Sequence, residues 1–271
     1  MPGFKQELLG LIRSTGMSAP LDVLRFRWMQ LKNLGKNRSF VSGHPGVPLP
    51  PPYMVYESFQ IDYAKYFVGG LEDAQWIVSM VKPYLSTRPM AILDWGCGPA
   101  RIIRHLPGIL GSDHRYFGTD YNPKTIAWCD AHLHGVSFSV NSINPPLPFA
   151  ENTFDLLYGI SIFTHLSLEN HTAWSNELFR VMAPSGILMV TTHGDAFLEK
   201  LTTTEADLYH KNVLVTRYKT KEGHRTYAAF HPPSLMRNMF ASAGFEILEH
   251  RPGQRVHVDY ISQDVWILKK S

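Results

Sequence analysis

The stretch AILDWGCGPARIIRHL, residues 91–106, joins a stiff segment of the chain to a very flexible one. The apolar run AILDW has the pattern of a buried strand, and the segment ARIIRHL has the pattern of a helix. Two glycines one residue apart, followed by a proline, lie between them. Glycine at such a junction lets another group come close to the backbone. The stretch therefore predicts a ligand site at the carboxyl end of a strand.

On both sides of this stretch, short apolar runs alternate with helical patterns. The predicted strands are AILDW, RYFGTD, VSFSV, FDLLYGI, ILMVTT, FEILEH and QDVWILKK. Helical patterns such as PKTIAWCDAHL and SLENHTAWSNELFRVMAPSG separate several of them, and Ser167 is the expected N-cap of the second. This alternation predicts an α/β protein: a Rossmann-like, seven-stranded, mostly parallel sheet with helices on both faces.

Two segments depart from this pattern and set the predicted domain organisation. Residues 1–85 form an N-terminal helical and aromatic extension that is expected to act as a cap, and residues 86–271 form the α/β domain. An insert at about residues 194–230 follows the fifth strand and is predicted to contain a β-hairpin with the turn KEG. Long inserts at the carboxyl ends of parallel strands commonly cover the site, so this one is expected to be a lid.

The extension is the most basic part of the chain. Its segment LDVLRFRWMQLKNL predicts a basic amphipathic helix. Packing of this helix on the rest of the protein is the ordinary interpretation, and contact with an anionic membrane surface is the alternative.

Composition excludes several classes of protein. The chain has 271 residues and a formal net charge of +3, without zinc-finger spacing or basic–aromatic interleaving, so no nucleic-acid partner is expected. Its two cysteines predict neither a disulfide framework nor a zinc site. We see no secretory signal and no run of about 18 apolar residues, so a cytoplasmic protein without a membrane span is expected.

The glycine loop is compatible with two classes of nucleotide ligand. A dinucleotide site of an oxidoreductase needs G-x-G-x-x-G, but Arg101 stands where the third glycine belongs. Pro99 also has no N–H to offer a phosphate. The other class of ligand is a nucleoside that carries an amino-acid tail.

The second class matches a family motif. The run ILDWGCGPARI resembles the first motif of the class I S-adenosylmethionine-dependent methyltransferases, an acid followed by G-x-G-x-G. Asp94, Gly96 and Gly98 match it, while Ala100 replaces the third glycine. The resemblance continues over roughly residues 88 to 270 and implies S-adenosylmethionine as the cofactor and S-adenosylhomocysteine as its product.

Further motifs of the family fall in the expected order. Asp120, at the end of the second strand, corresponds to the acid that holds the ribose hydroxyls, and a carboxylate can accept from both. Asn141 and Ser142 follow the third strand, where the family reads the adenine amino group. The cofactor-binding residues that the resemblance implies are Asp94, Gly96, Cys97, Gly98, Asp120, Tyr121, Asn141, Ser142 and Gly159.

The sequence indicates less about the site of the acceptor, the molecule that receives the methyl group. His165 follows the fourth strand and His193 follows the fifth, so both are candidate general bases. No metal site is expected, since His193 and Asp195 alone are too few ligands. Tyr56, Tyr63 and Tyr66 of the aromatic segment are predicted to line the acceptor pocket.

The two histidines favour O-methylation of a small-molecule, sugar or natural-product acceptor. N-methylation of a small molecule and a non-catalytic binding protein with this fold are the alternatives.

Overall fold

The computed structural model describes residues 18–217, 222–223, 227–258 and 260–271. The chain divides into two compact units, residues 1–69 and 70–271. The division falls within a helix, whereas the sequence predicts a boundary after residue 85. No helix of the described residues is long and apolar enough to cross a bilayer.

The first unit is helical. It contains α1 (Ser18–Gly43), α2 (Pro52–Phe59) and the start of α3 (Tyr63–Val81). Helix α1 is much longer than the short helix predicted from LDVLRFRWMQLKNL. An apolar cluster holds the unit together; its buried members are Met29, Val55, Tyr56, Ile61 and Tyr66.

Two asparagines of α1 fix the turn that follows α2. Gln60 and Ile61 have positive φ angles of 55° and 58°. Asn33 Nδ2 donates to the Gln60 carbonyl at 2.7 Å, and Asn37 Nδ2 donates to the Ile61 carbonyl at 2.8 Å. These bonds satisfy carbonyls that the end of a helix leaves without partners.

The second unit contains the predicted seven-stranded sheet, which has the order β3-β2-β1-β4-β5-β11-β8. The strands are β1 (Ala91–Trp95), β2 (Arg115–Asp120), β3 (Ser137–Val140), β4 (Phe154–Gly159), β5 (Met182–Thr192), β8 (Phe245–Arg251) and β11 (Asp264–Lys270). Strands β1 to β5 are parallel, and β11 runs antiparallel to both β5 and β8. The carboxyl ends of β1 to β5 therefore meet at one edge.

Alternate residues of these strands enter two apolar clusters, one on each face of the sheet. Ile92 packs with residues of α3, α4 (Leu106–Leu110) and α5 (Pro123–His132). Leu93 packs with residues of α6 (Leu168–Val181) and α8 (Pro233–Ser242). Helices on both faces bury every strand position of β1, which explains why AILDW is apolar without alternation.

The helix predicted over ARIIRHL is wrong in its position. Residues 98–102 form turns, Ile103–His105 form a 3₁₀ turn, and α4 begins only at Leu106. Pro107 explains the late start, because in a helix interior its ring would clash with the Ile103 carbonyl, whereas the first turn accepts it. Ser167 is the N-cap of α6 as predicted, and it accepts from the N–H of Asn170 at 3.3 Å.

The insert after β5 contains a 3₁₀ segment (Asp195–Lys200), α7 (Thr203–His210) and the predicted hairpin. Strand β6 (Val215–Arg217) pairs antiparallel with β7 (Ala228–Phe230). Residues 218–221 and 224–226 of the predicted hairpin lie outside the described residues. A second small hairpin, β9 (Arg255–His257) with β10 (Tyr260–Ile261), precedes β11 and was not predicted.

Candidate functional site

The glycine loop after β1 is hydrogen-bonded to the neighbouring strand, β2. The N–H groups of Gly96 and Cys97 both donate to the Thr119 carbonyl of β2 at 2.8 Å. Gly96 has a φ of 77°, and a Cβ there would lie 2.1 Å from Cδ1 of Ile162. Gly98 has a φ of 51°, and a Cβ there would meet no atom within 4 Å. The first glycine is therefore required by packing, whereas the second borders open space.

Ala100 occupies the third position of the motif, where the family has glycine. Its φ of 57° is left-handed, a conformation that costs an L-residue roughly 1–2 kcal/mol and glycine almost nothing. Ala100 is fully buried in the cluster that contains Ile92, so its methyl group packs well. The third position therefore depends on backbone conformation as well as on packing.

Asp120, at the end of β2, is buried and faces the glycine loop. Its Oδ2 accepts the Gly98 N–H at 3.1 Å, and its Oδ1 accepts the Asn122 N–H at 2.8 Å. Burial raises the pKa of this carboxyl, while these two bonds lower it. Each carboxylate oxygen has a second lone pair, so the group can accept two more hydrogen bonds, as a cis-diol requires.

The residues after β3 continue this edge. The Asn141 N–H donates to the Asp120 carbonyl at 3.1 Å, and Asn141 Nδ2 donates to the Ser142 carbonyl at 2.6 Å. Asn141 Oδ1 is buried and accepts no hydrogen bond from the described residues. A buried oxygen without a donor is unfavourable, so this atom fits a ligand that supplies an N–H.

Five of the predicted polar residues converge on one cavity of about 70 Å³ in the second unit. They are Asp120, Tyr121, Asn141, Ser142 and His165, and Gly96 also lines the cavity. The walls are apolar, formed mainly by Trp95, Ile143, Ile162, Leu166 and Trp174. An apolar cavity lined by a few polar groups suits an aromatic base joined to a sugar.

The insert after β5 reaches this cavity. The Gly223 N–H donates to the His165 carbonyl at 2.9 Å, and Tyr121 donates its hydroxyl to the Gly223 carbonyl at 3.3 Å. The Glu222 carboxylate accepts the Ser167 N–H. A Cβ on Gly223 would lie 2.4 Å from Cδ1 of Ile143, so the turn packs tightly against the cavity wall.

Asp94 precedes Trp95 and Gly96, which line the cavity, and is in register with Gly118 of β2 and Tyr158 of β4. Burial raises its pKa to about 7, against the lowering effects of the Tyr158 hydroxyl and the Arg101 guanidinium. Its Oδ2 accepts no hydrogen bond from the described residues. A buried carboxyl with one oxygen that lacks a donor fits a cationic group of a ligand.

A second, larger cavity of about 600 Å³ opens at the ends of β4 and β5. Its polar lining includes Arg101, Ser161, Thr191, Arg251 and Gln263, and its aromatic lining is Trp76 and Tyr260. Arg101 forms an ion pair with Asp73, and Arg251 forms one with Glu249.

Hydrogen bonds connect this second cavity to His193. Gln263 Nε2 donates to Ser161 Oγ at 2.8 Å and to His193 Nε2 at 3.3 Å. His193 Nδ1 donates to the Ala229 carbonyl at 3.0 Å, so Nε2 is the unprotonated nitrogen. Burial lowers the pKa of His193 to about 4. The imidazole is therefore neutral at pH 7.

Two other histidines hold His193 in place. The His193 N–H donates to His231 Nδ1 at 3.2 Å, so His231 must donate through Nε2 to His171 Nε2, 2.9 Å away. His171 Nδ1 in turn donates to the Ser167 carbonyl at 2.6 Å. Burial lowers the pKa of His171 to about 4 and that of His231 well below its ordinary value. Both are neutral structural groups.

His165 faces the first cavity rather than the second. Its Nδ1 donates to the Tyr227 carbonyl at 2.8 Å, because a carbonyl can only accept. His165 therefore lines the first cavity, whereas His193 is joined to the second cavity only through Gln263.

Cys97 and Gly159 have packing roles in the structure. The Cys97 thiol is buried, burial raises its pKa well above the ordinary value, and its Sγ donates to the Gly98 carbonyl at 3.4 Å. A Cβ on Gly159 would lie 2.6 Å from Cε3 of Trp95. Their contact with a cofactor stays a prediction.

The three tyrosines lie in the first unit. Tyr56 donates its hydroxyl to Asp22 Oδ1 at 2.7 Å, and Tyr63 donates to the Pro50 carbonyl at 3.0 Å. Tyr66 is fully buried and packs edge-on against Phe59. Their role at an acceptor pocket stays a prediction.

Among the residues that the structure describes, no group of three or more His, Cys, Asp or Glu side chains could hold a metal. Asp195 accepts the Tyr209 hydroxyl at 2.8 Å.

The sequence missed the residues whose partners are distant along the chain: Tyr158, Ser161, Thr191, Gly223 and Gln263. A signal existed for Ser161 and Thr191, which follow or end predicted strands at the carboxyl edge. None existed for Gln263, which precedes a strand antiparallel to the others.

Comparisons with known proteins agree with this geometry. Residues 92–186 match the model of a methyltransferase domain family. A curated relative, phosphoethanolamine N-methyltransferase of Plasmodium falciparum, is 26% identical over 144 residues, which are 46% of this chain and 46% of that protein. The chain thus aligns with about half the length of this curated relative.

Solved structures share the fold. An S-adenosylmethionine-dependent methyltransferase from Mesorhizobium loti superposes with a TM-score of 0.57 at 15% identity, covering 74% of this chain and 100% of that one. Magnesium protoporphyrin IX methyltransferase from Synechocystis, solved with bound S-adenosylhomocysteine, gives 0.55 at 12% identity, covering 97% and 99%.

The sheet order and the glycine loop are those of the Rossmann-like fold that solved methyltransferases share. Residues 92–186 thus match a methyltransferase domain, and the second unit has the fold of solved S-adenosylmethionine-dependent methyltransferases.

Proposed function

We propose that this protein transfers a methyl group from S-adenosylmethionine to a hydroxyl group of a small polar acceptor. The observation that carries the acceptor chemistry is the network Ser161–Gln263–His193, which links two residues that line the second cavity to an unprotonated imidazole nitrogen.

The residues of the first cavity fit the cofactor. Asp120 would hold the ribose hydroxyls, Asn141 Oδ1 would accept from the adenine amino group, and the apolar walls would enclose the base. Asp94 would meet the ammonium group of the methionine tail, and Gly98 leaves the space through which that tail passes. When bound, the cofactor supplies a methyl group already activated on a sulfonium.

The protein's contribution is then mainly alignment, since holding two reactants in place can correspond to effective molarities of about 10⁵–10⁸ M. A hydroxyl acceptor also has to lose a proton. His193 Nε2 can take it if the acceptor replaces Gln263 as its hydrogen-bond donor. A general base contributes roughly 10²- to 10⁴-fold.

N-methylation is the second candidate. The similarity to phosphoethanolamine N-methyltransferase favours it. An amine that is already neutral needs no base, and a histidine with a pKa of about 4 is a weak one.

One experiment separates these functions. The purified protein is first titrated with S-adenosylmethionine by calorimetry, and then S-adenosylhomocysteine release is measured with panels of hydroxyl and amine acceptors, phosphoethanolamine included. Turnover only with hydroxyl acceptors, lost in His193→Gln at unchanged cofactor affinity, supports the first proposal. Turnover only with amines supports the second. Absence of cofactor binding would indicate the non-catalytic alternative.

A further inference from the structure

Helix α1 is apolar on two opposite sides. One side packs within the first unit, where Phe26 and Met29 enter the apolar cluster and Asn33 and Asn37 bond to the turn after α2. A helix that buries one side normally presents a polar opposite side to water. The opposite side of α1 is different.

The outward side carries a continuous apolar stripe. Leu24, Trp28 and Leu31 are spaced four and three residues apart, which places them on one line along the helix. Their exposed fractions are 66%, 55% and 73%. Three more large apolar side chains on α1 are at least 44% exposed: Val23, Leu34 and Val41.

Cations border the stripe on both sides. By helical periodicity, Arg27 and Arg38 flank one edge, and Lys32 flanks the other, where its Nζ lies 4.9 Å from the centre of the Trp28 ring. All three side chains are exposed. The single acid within Ser18–Gly43 is Asp22, and it accepts the hydroxyl of Tyr56.

We propose that this outward side of α1 binds the surface of an anionic lipid bilayer. Leu24, Trp28 and Leu31 would enter the boundary between headgroups and acyl chains, while Arg27, Lys32 and Arg38 contact the anionic headgroups. Apolar side chains flanked by lysine and arginine are the pattern of helices that lie in a membrane interface. A second copy of the chain is a poorer occupant, since pairing the two stripes would bring like charges together.

Vesicle flotation tests this proposal with the full chain. The wild-type protein is expected to float with vesicles of phosphatidylcholine that contain about 30% phosphatidylglycerol, and not with phosphatidylcholine alone. The triple variant Leu24→Ser, Trp28→Ser, Leu31→Ser is expected to bind vesicles more than about 30-fold more weakly, because it loses the three apolar side chains that the bilayer would bury. It retains every residue from 1 to 17, so any contribution of that segment is unchanged.

The control variant is Leu208→Ser, Val213→Ser, which removes two apolar side chains of the second unit that are 42% and 43% exposed and should bind like wild type. Should the triple variant fail to fold by circular dichroism, Arg27→Gln, Lys32→Gln provides the second test. It is expected to weaken binding severalfold at low salt and to reduce its salt dependence.

Three results would overturn the proposal. The first is absence of wild-type binding to anionic vesicles, and the second is equal binding by wild type and the triple variant. The third is a wild-type dimer in sedimentation equilibrium that the triple variant abolishes, which would make this side an interface between copies. The test does not depend on methyl transfer.

Discussion

The Gly98 N–H donates to Oδ2 of Asp120 at 3.1 Å, so the glycine loop after β1 and the acid at the end of β2 form one structural unit. The same carboxylate is the proposed ribose ligand. A change at Asp120 therefore acts on the shape of the loop as well as on the cofactor.

Asp120→Asn should weaken S-adenosylmethionine binding roughly 10- to 100-fold, because it removes a charged acceptor and turns an NH₂ group toward the loop or the ribose. Calorimetric titration with S-adenosylmethionine measures this change in affinity. Asp130→Asn, on the exposed side of α5, is the matched control and should bind like wild type. Equal affinities of the two variants would refute the ribose assignment.

The raised pKa of Asp94 predicts that cofactor binding releases a proton. With a pKa of about 7, roughly three quarters of this carboxyl is protonated at pH 6.5 in the free protein. A cofactor ammonium beside it would lower the pKa, so binding should release a proton at pH 6.5 and almost none at pH 8.5. Calorimetry in two buffers of different ionisation enthalpy measures the release. It should disappear in Asp94→Asn; its persistence there would place the proton on another group.

The lowered pKa of His193 predicts where the rate of methyl transfer to a hydroxyl acceptor falls as the pH decreases. Its pKa is lowered to about 4, so its basic form persists as the pH falls from 9 to 6 and is lost only as the pH approaches 4. With saturating cofactor, kcat should therefore show no decline centred on the ordinary histidine value of 6.5. A decline there that survives in His193→Gln would assign the base to another residue.

The close packing of Gly223 predicts that the turn of the insert slows dissociation of the cofactor from the first cavity. Its φ is 81°, and an added Cβ would lie 2.4 Å from Ile143, so Gly223→Ala should displace the turn from Tyr121 and His165. We expect S-adenosylmethionine to dissociate severalfold faster, measured by stopped-flow chase. The control is Gly111→Ala, which has a φ of 106° but meets no atom within 4 Å. Identical dissociation rates in both variants would show that this turn does not retain the cofactor.

The strands and the glycine loop could be predicted because their signals are local. AILDW is apolar at every position since β1 is covered on both faces, and the left-handed φ angles of the loop select glycine. The acids that end β1 and β2 could be found by position, because the carboxyl ends of parallel strands meet at one edge. The helix after the loop was misplaced because Pro107, which sets its start, lies outside the segment that carried the helical pattern.

The sequence by itself determined the class of fold, the cofactor loop and the residues at the strand ends, since periodicity and backbone conformation are properties of neighbouring residues. Only the tertiary structure decided which of them meet. It placed Tyr158 beside Asp94, Gly223 over the first cavity, Gln263 between Ser161 and His193, and the apolar stripe of α1 in solvent. Burial, pKa and hydrogen-bond partnership depend on residues that are distant along the chain, so no local pattern records them.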